Sequence, residues 1–167
     1  VAAVLAGWAE RFLPSVAADG LKTGAGEVLV ADAGEGLFPQ TILMGPHRTR
    51  ADEPESVGGT DTGGSPYDYL AAALGACTNM TLKMYASRKG WDLKDLRCVV
   101  THSKVHAEDC ADCETKEGKV DRFTRTLSFG GNLAAEERRK LLEIADKCPV
   151  HRTLHSEIDI VTEVVDG

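Results

Sequence analysis

The chain is poor in aromatics, in positive charge and in long apolar runs, and each shortage removes a class of protein. Aromatic residues make up 5% of the chain, so a core must rest on Leu, Ile, Val, Ala and Met. No apolar stretch approaches the roughly 20 residues that a membrane-spanning helix needs. The formal net charge is −7, and no basic stripe marks a nucleic-acid surface. The same charge argues against an anionic membrane as partner. Val1 to Ala9 has no basic region ahead of its apolar residues, so it does not read as a signal peptide. It reads as a cut end or as part of a longer chain. The glycine-rich stretch Gly58 to Gly64 lacks the Gly-Lys-Ser/Thr ending of a phosphate cradle. Gly-x-Ser-x-Gly is also missing, and with it an esterase nucleophile elbow.

What is present is the balance of a soluble globular protein, 43% apolar and 27% charged. A length of 167 residues suits one main domain with a core that needs no staples. The five cysteines are an odd number, and without a secretory signal they do not suggest a disulfide framework. A reducing, cytoplasmic setting is expected, in which thiols serve reactivity, metal binding or packing.

Apolar residues at Val1, Leu5, Trp8, Phe12 and Leu13 have helical spacing, and Pro14 should end that helix. Ala17 to Gly26 then reads as linker, making residues 1–20 an appendage. Val28-Leu29-Val30 and Thr41-Ile42-Leu43-Met44 flank Asp32 to Gly36, whose turn chemistry predicts a hairpin. Ala51 to Gly64 is a long loop. Ser65, Pro66 and Asp68 supply a cap, a first helical residue and a capping-box acid. The helix they open should run to Lys89 and stop at Gly90. Leu70, Leu74, Cys77, Thr81 and Met84 form one stripe, and Ala72, Ala73, Ala76 and Met80 extend it, so burial almost all round is expected. Leu96 to Val105 and Val120 to Phe129 read as a second pair of strands. Asn132 should cap another helix with Leu133, Leu141, Leu142 and Ile144 inward. A short helical turn from Pro149 to His155 and a last strand from Glu157 to Val164 complete an α+β order.

Two cysteines stand out. Cys77 lies mid-helix, where a cysteine is commonly a small core residue. Cys148 precedes Pro149 as the N-cap of the short turn, where backbone N–H groups favour thiolate, and His151 and Arg152 follow. If the two helices pack together, Cys77 could take a peroxide oxygen and Cys148 could resolve the sulfenic acid. A separate group, His102, His106, Cys110 and Cys113, offers zinc-ligand types in H-x3-H-x3-C-x2-C order. Its acidic flanks suit a solvated hairpin tip equally well. Cys98 sits in an apolar strand run and reads as core.

Two longer stretches resemble one family. The first holds Asp52-Glu53-Pro54, Gly58-Gly59-Thr60-Asp61-Thr62-Gly63 and Ser65 to Thr78, continuing to Met80-Thr81 and Tyr85-Ala86. The second is Ile144-Ala145-Asp146-Lys147-Cys148-Pro149-Val150-His151-Arg152-Thr153-Leu154. Together they resemble the OsmC/Ohr family, its OsmC-like branch most, over residues 24–165. The resemblance implies antiparallel sheets wrapped around two central helices in an intertwined homodimer. It implies Cys77 as peroxidatic and Cys148 as resolving thiol, an organic hydroperoxide as substrate, and a small dithiol or dithiol protein as reductant. No cofactor is implied.

The pattern departs from the hydroperoxide-resistance branch at two points. Tyr67 stands where that branch has a glutamate, with Asp68 next to it, and no arginine lies between Arg11 and Arg48. Arg48, Arg50, Glu53, Asp68 and Arg152 are the candidates to stand in. Leu5 to Ala9 and Arg11 to Leu13 also resemble the end of an α/β-hydrolase domain, to which some family members are fused. The expected function is thiol-dependent reduction of organic hydroperoxides. The alternative is a non-enzymatic module that binds an apolar small molecule or dimerises an attached hydrolase.

Overall fold

The computed structural model describes residues 20–109, 115 and 117–165. The N-terminal helix expected over 1–16 lies outside them, as do Cys110 and Cys113. The chain divides into two compact units, Val1–Tyr69 and Leu70–Gly167.

In the first unit, β1 (Val28–Asp32), β2 (Gln40–Met44) and β3 (His47–Ala51) form an antiparallel sheet in that order. The β1–β2 hairpin turns where its residues predict, with Asp32 Oδ1 accepting the Gly34 N–H at 2.8 Å. β3 was not legible as a strand, because His-Arg-Thr-Arg-Ala has no apolar alternation. Gly45 and Pro46 explain it: Gly45 has φ 59°, and Pro46 fixes the next φ negative, which closes a two-residue hairpin loop. β3 is an edge strand, where charged side chains are usual.

The loop after β3 winds around one carboxylate. Asp52, 2% exposed, accepts from the backbone N–H groups of Glu53, Thr60 and Thr62 and from both threonine hydroxyls. Burial pushes its pKa up, but these hydrogen bonds, Thr60 foremost, outweigh that and hold it far below the usual carboxylate range. The glycines serve close approach: a Cβ on Gly59 would lie 1.7 Å from the Glu53 carbonyl oxygen, and one on Gly63 2.3 Å from that of Arg50. The Tyr69 hydroxyl donates to the Arg50 carbonyl, tying the following helix turn to β3.

That helix, α1 (Pro66–Lys89), has the predicted bounds. Ser65 and Asp68 cap each other reciprocally: Asp68 Oδ2 accepts the Ser65 N–H at 2.8 Å, and Ser65 Oγ accepts the Asp68 N–H at 3.3 Å. Gly90, at φ 69°, ends it.

In the second unit, β4 (Lys94–His106) and β5 (Lys119–Gly130) make a long antiparallel pair. α2 (Ala135–Ala145) and α3 (Pro149–Leu154) follow. Leu82, Ala86, Leu141, Ile144 and Ala145 form the core, with Leu96, Leu127 and Phe129 of the strands against it. Leu82 and Leu141 are fully buried, each contributing about 1.5–3 kcal/mol by the area it removes from water.

Four expectations are corrected here. α1 is buried along Leu74, Gly75, Thr78, Leu82 and Ala86, and not all round. Its other face is open: Met80 is 69% exposed, and Ala73, Ala76, Met84 and Leu70 are exposed with it. α2 is capped at Ala134, whose N–H is accepted by Glu137 Oε2 at 2.8 Å, so Asn132 is not the cap. Leu142, 53% exposed, faces outward, because the packed side of α2 is Leu141, Ile144 and Ala145. Glu157 to Val164 forms no strand: alternation alone does not make one, and no ladder partner for it exists among the described residues.

Candidate active site

Cys148 is fully buried and is the N-cap of α3, as its place before Pro149 predicts. Its Sγ accepts the His151 backbone N–H at 3.3 Å. The Thr78 hydroxyl lies 3.7 Å from the same sulfur. That hydroxyl also reaches the Leu74 carbonyl at 2.8 Å. With one proton and two acceptors, it can bond the helix while Cys148 is a thiol and turn toward a thiolate. Cys148 is thereby packed against the turn of α1 that carries Cys77.

Cys77 itself is half-buried. Successive helical residues point about 100° apart, so Cys77 does not share the direction of Thr78. It borders the open face of Ala73, Ala76 and Met80.

One arginine organises the whole corner. Arg125 Nη1 donates to Thr78 Oγ1 at 3.0 Å and to the Ala145 carbonyl at 2.9 Å. Its Nη2 donates to Asp146 Oδ1 at 2.6 Å and to His151 Nδ1 at 3.0 Å. The guanidinium therefore joins α1, the C-terminal end of α2 and α3. The Ala145 carbonyl belongs to the last turn of α2, where acceptors have no partner within the helix. A guanidinium has no acceptor, so His151 Nδ1 must accept, and the ring is neutral with its proton on Nε2. Burial first, then Arg125 and His155, lower the His151 pKa, with Asp146 opposing. The His155 ring stacks on it at 4.5 Å.

A base whose folded pKa is lowered favours folding in its neutral form. The His151 contribution is complete above the ordinary histidine value of about 6.5 and is lost as pH falls below it. Proton-detected titration of the ring should give a midpoint below that of free histidine. A midpoint at or above 6.5 would mean that Arg125 does not occupy Nδ1 in solution.

Arg125 was not among the sequence candidates. Its signal was present: Phe123, Arg125, Leu127 and Phe129 are alternate residues of β5, so one charge stands in an inward apolar row. Of the candidates named from sequence, Asp68 is engaged in the helix cap and Arg152 is exposed on α3. Arg48 and Arg50 are on β3, where Arg50 pairs with Glu35 at 2.9 Å, and Glu53 is half-buried next to Asp52. His102 is engaged by Asp121 at 2.8 Å and lies against Phe123, while His106 is exposed. The other members of that cluster, Cys110 and Cys113, fall outside the described residues.

Two antiparallel sheets and a long helix, with a buried N-capping thiol at its side, define an α+β protein. The chain belongs to the OsmC-like protein family, whose model matches residues 59–163. Solved structures agree in fold. An OsmC-like protein from Mycoplasma pneumoniae is 18% identical with a TM-score of 0.60, covering 81% of this chain and 89% of that one. A protein from Psychrobacter arcticus, assigned to the osmotic-stress-induced and detoxification response, is 19% identical with a TM-score of 0.61, covering 78% and 89%. An organic hydroperoxide resistance protein from Elizabethkingia anophelis, with thiocyanate bound, is 16% identical with a TM-score of 0.59, covering 83% and 94%. A search of curated proteins found no match. Among the described residues, no helix is long and apolar enough to cross a membrane.

Proposed function

We propose that the protein reduces organic hydroperoxides through Cys77 and Cys148. The Cys77 thiolate attacks the O–O bond, becomes a sulfenic acid, and releases an alkoxide that takes up a proton as the alcohol. The Cys148 thiol then condenses with Cys77–SOH, forming the disulfide and one water. A small dithiol or dithiol protein restores both thiols by exchange.

The observation that carries this reading is the 3.7 Å approach of Thr78 Oγ1 to Cys148 Sγ, which sets the second thiol against the residue next to the first. Family membership supports it, as does the organic hydroperoxide resistance of proteins with the same fold. The open apolar face beside Cys77 suits an alkyl hydroperoxide, and suits a second copy of the chain packing there as a homodimer.

One equivalent of cumene hydroperoxide should remove two thiols, and a sample quenched with acid at the earliest times should give a Cys77–Cys148 linked peptide on mass mapping. Hydrogen peroxide should do so more slowly; equal or faster use of it removes the organic preference. If both thiols survive, the family fold is present without peroxidase chemistry, and the apolar face beside Cys77 becomes a binding surface.

A further inference from the structure

The buried face of α1 carries a third thiol that the reaction above does not use. Cys98 is half-buried and lies on the inward face of β4. A Cβ built on Gly75 would meet Val100 Cγ2 at 3.3 Å and Cys98 Sγ at 3.8 Å, so Cys98 lies directly over Gly75. Cys148 lies over Thr78, three residues further on. Three residues of helix rise about 4.5 Å. Both thiols thus rest on the same helical face, one turn apart, and Cys77 points away from it.

Arg125 links the two positions. In the β4–β5 ladder Cys98 is opposite Leu127 and Val100 opposite Arg125, which makes Cys98 and Arg125 diagonal neighbours on one face. The same guanidinium reaches Thr78 beneath Cys148. Burial raises the Cys98 pKa most, Arg125 pulls it down, and Cys148 pushes it up, as expected of groups sharing one small site. Leu74 and Gly75, both buried, leave little room for solvent at this contact.

We propose that Cys98 is a second resolving thiol that takes over Cys148 from Cys77. The inference rests on the peroxidase reading above. Once the Cys77–Cys148 disulfide has formed, the Cys98 thiolate attacks Cys148 Sγ. A Cys98–Cys148 bond forms, the Cys77–Cys148 bond breaks, and Cys77 leaves as thiolate. The proton lost by Cys98 balances the one that the Cys77 thiolate later accepts, and no outside oxidant or reductant takes part. The exchange moves the disulfide inward and returns a peroxidatic thiol to the open face of α1. The protein then meets a second hydroperoxide before any reductant arrives.

The stoichiometry tests this. Without reductant, the full chain is expected to consume two equivalents of cumene hydroperoxide per chain at the site. It should end with a Cys98–Cys148 linked peptide and a Cys77 sulfenic acid trapped by dimedone. Cys98→Ser is expected to consume one equivalent and stop at the Cys77–Cys148 disulfide. If the unsubstituted chain also stops there, with Cys98 still open to alkylation, the exchange is overturned and the peroxidase reading stands. If Cys77 is not oxidised at all, both fall. A second variant separates proximity from peroxide chemistry: Cys77→Ser treated with diamide should form a Cys98–Cys148 disulfide. Failure to form it overturns the proposal whatever the peroxide result.

Discussion

Replacing Arg125 by alanine is expected to destabilise the protein by about 2–4 kcal/mol and to lower its melting temperature by roughly 5–12 °C. The side chain is 13% exposed and makes four hydrogen bonds, to Thr78, Ala145, Asp146 and His151. Bonds from a charged donor contribute about 1.5–3 kcal/mol each, but they are not additive. The Asp146 pair counts for little, because that carboxylate is 64% exposed and screened. The main loss is at the Ala145 carbonyl, which gives up the 2.9 Å bond from Arg125 and keeps only the longer one, 3.4 Å, from the Cys148 N–H at a buried helix end. Arg125→Lys should recover only part of the stability, since an ammonium cannot hold this fork. A purely structural defect would lower stability alone. Removal of the clamp should also free α3 and raise the alkylation rate of Cys148 in native buffer about tenfold or more. Unchanged alkylation with lowered stability would show that the arginine does not hold the Cys148 corner.

Replacing Cys77 by serine is expected to cut hydroperoxide turnover on the order of 10³-fold or more, because a serine hydroxyl is not ionised at neutral pH and does not accept an oxygen atom. Cys148→Ser should behave differently. It should still consume about one equivalent in a rapid first turnover and then accumulate a dimedone-reactive sulfenic acid on Cys77. Stopped-flow peroxide consumption with dimedone labelling separates the two variants. If Cys148→Ser loses the first turnover and Cys77→Ser keeps it, the two roles are reversed. If both variants turn over like the unsubstituted chain, neither thiol carries the reaction.

Much of this molecule was readable because its signals are local. Ser65, Pro66, Asp68 and Gly90 set the ends of α1 through groups within a few residues of one another. Cys148 before Pro149 specified an N-cap in the same way, since the His151 N–H it accepts is three residues away. Strand pairs showed where alternation and turn residues coincide, and failed at β3, whose polar residues pair as an edge after an easily missed Gly45-Pro46 turn.

The sequence by itself determined the α+β order, the bounds of the long helix, the capping position of Cys148 and the family likeness, all properties that neighbours along the chain impose. Tertiary structure alone decided which face of α1 is buried, that Glu157 to Val164 has no ladder partner among the described residues, and that Arg125 and Cys98 stand in the Cys148 corner. The reason is distance along the chain. Thr78, Arg125 and Cys148 are brought together only when a helix, a strand and a helix end pack, and the choice among several apolar faces is made by which surface the β4–β5 pair covers.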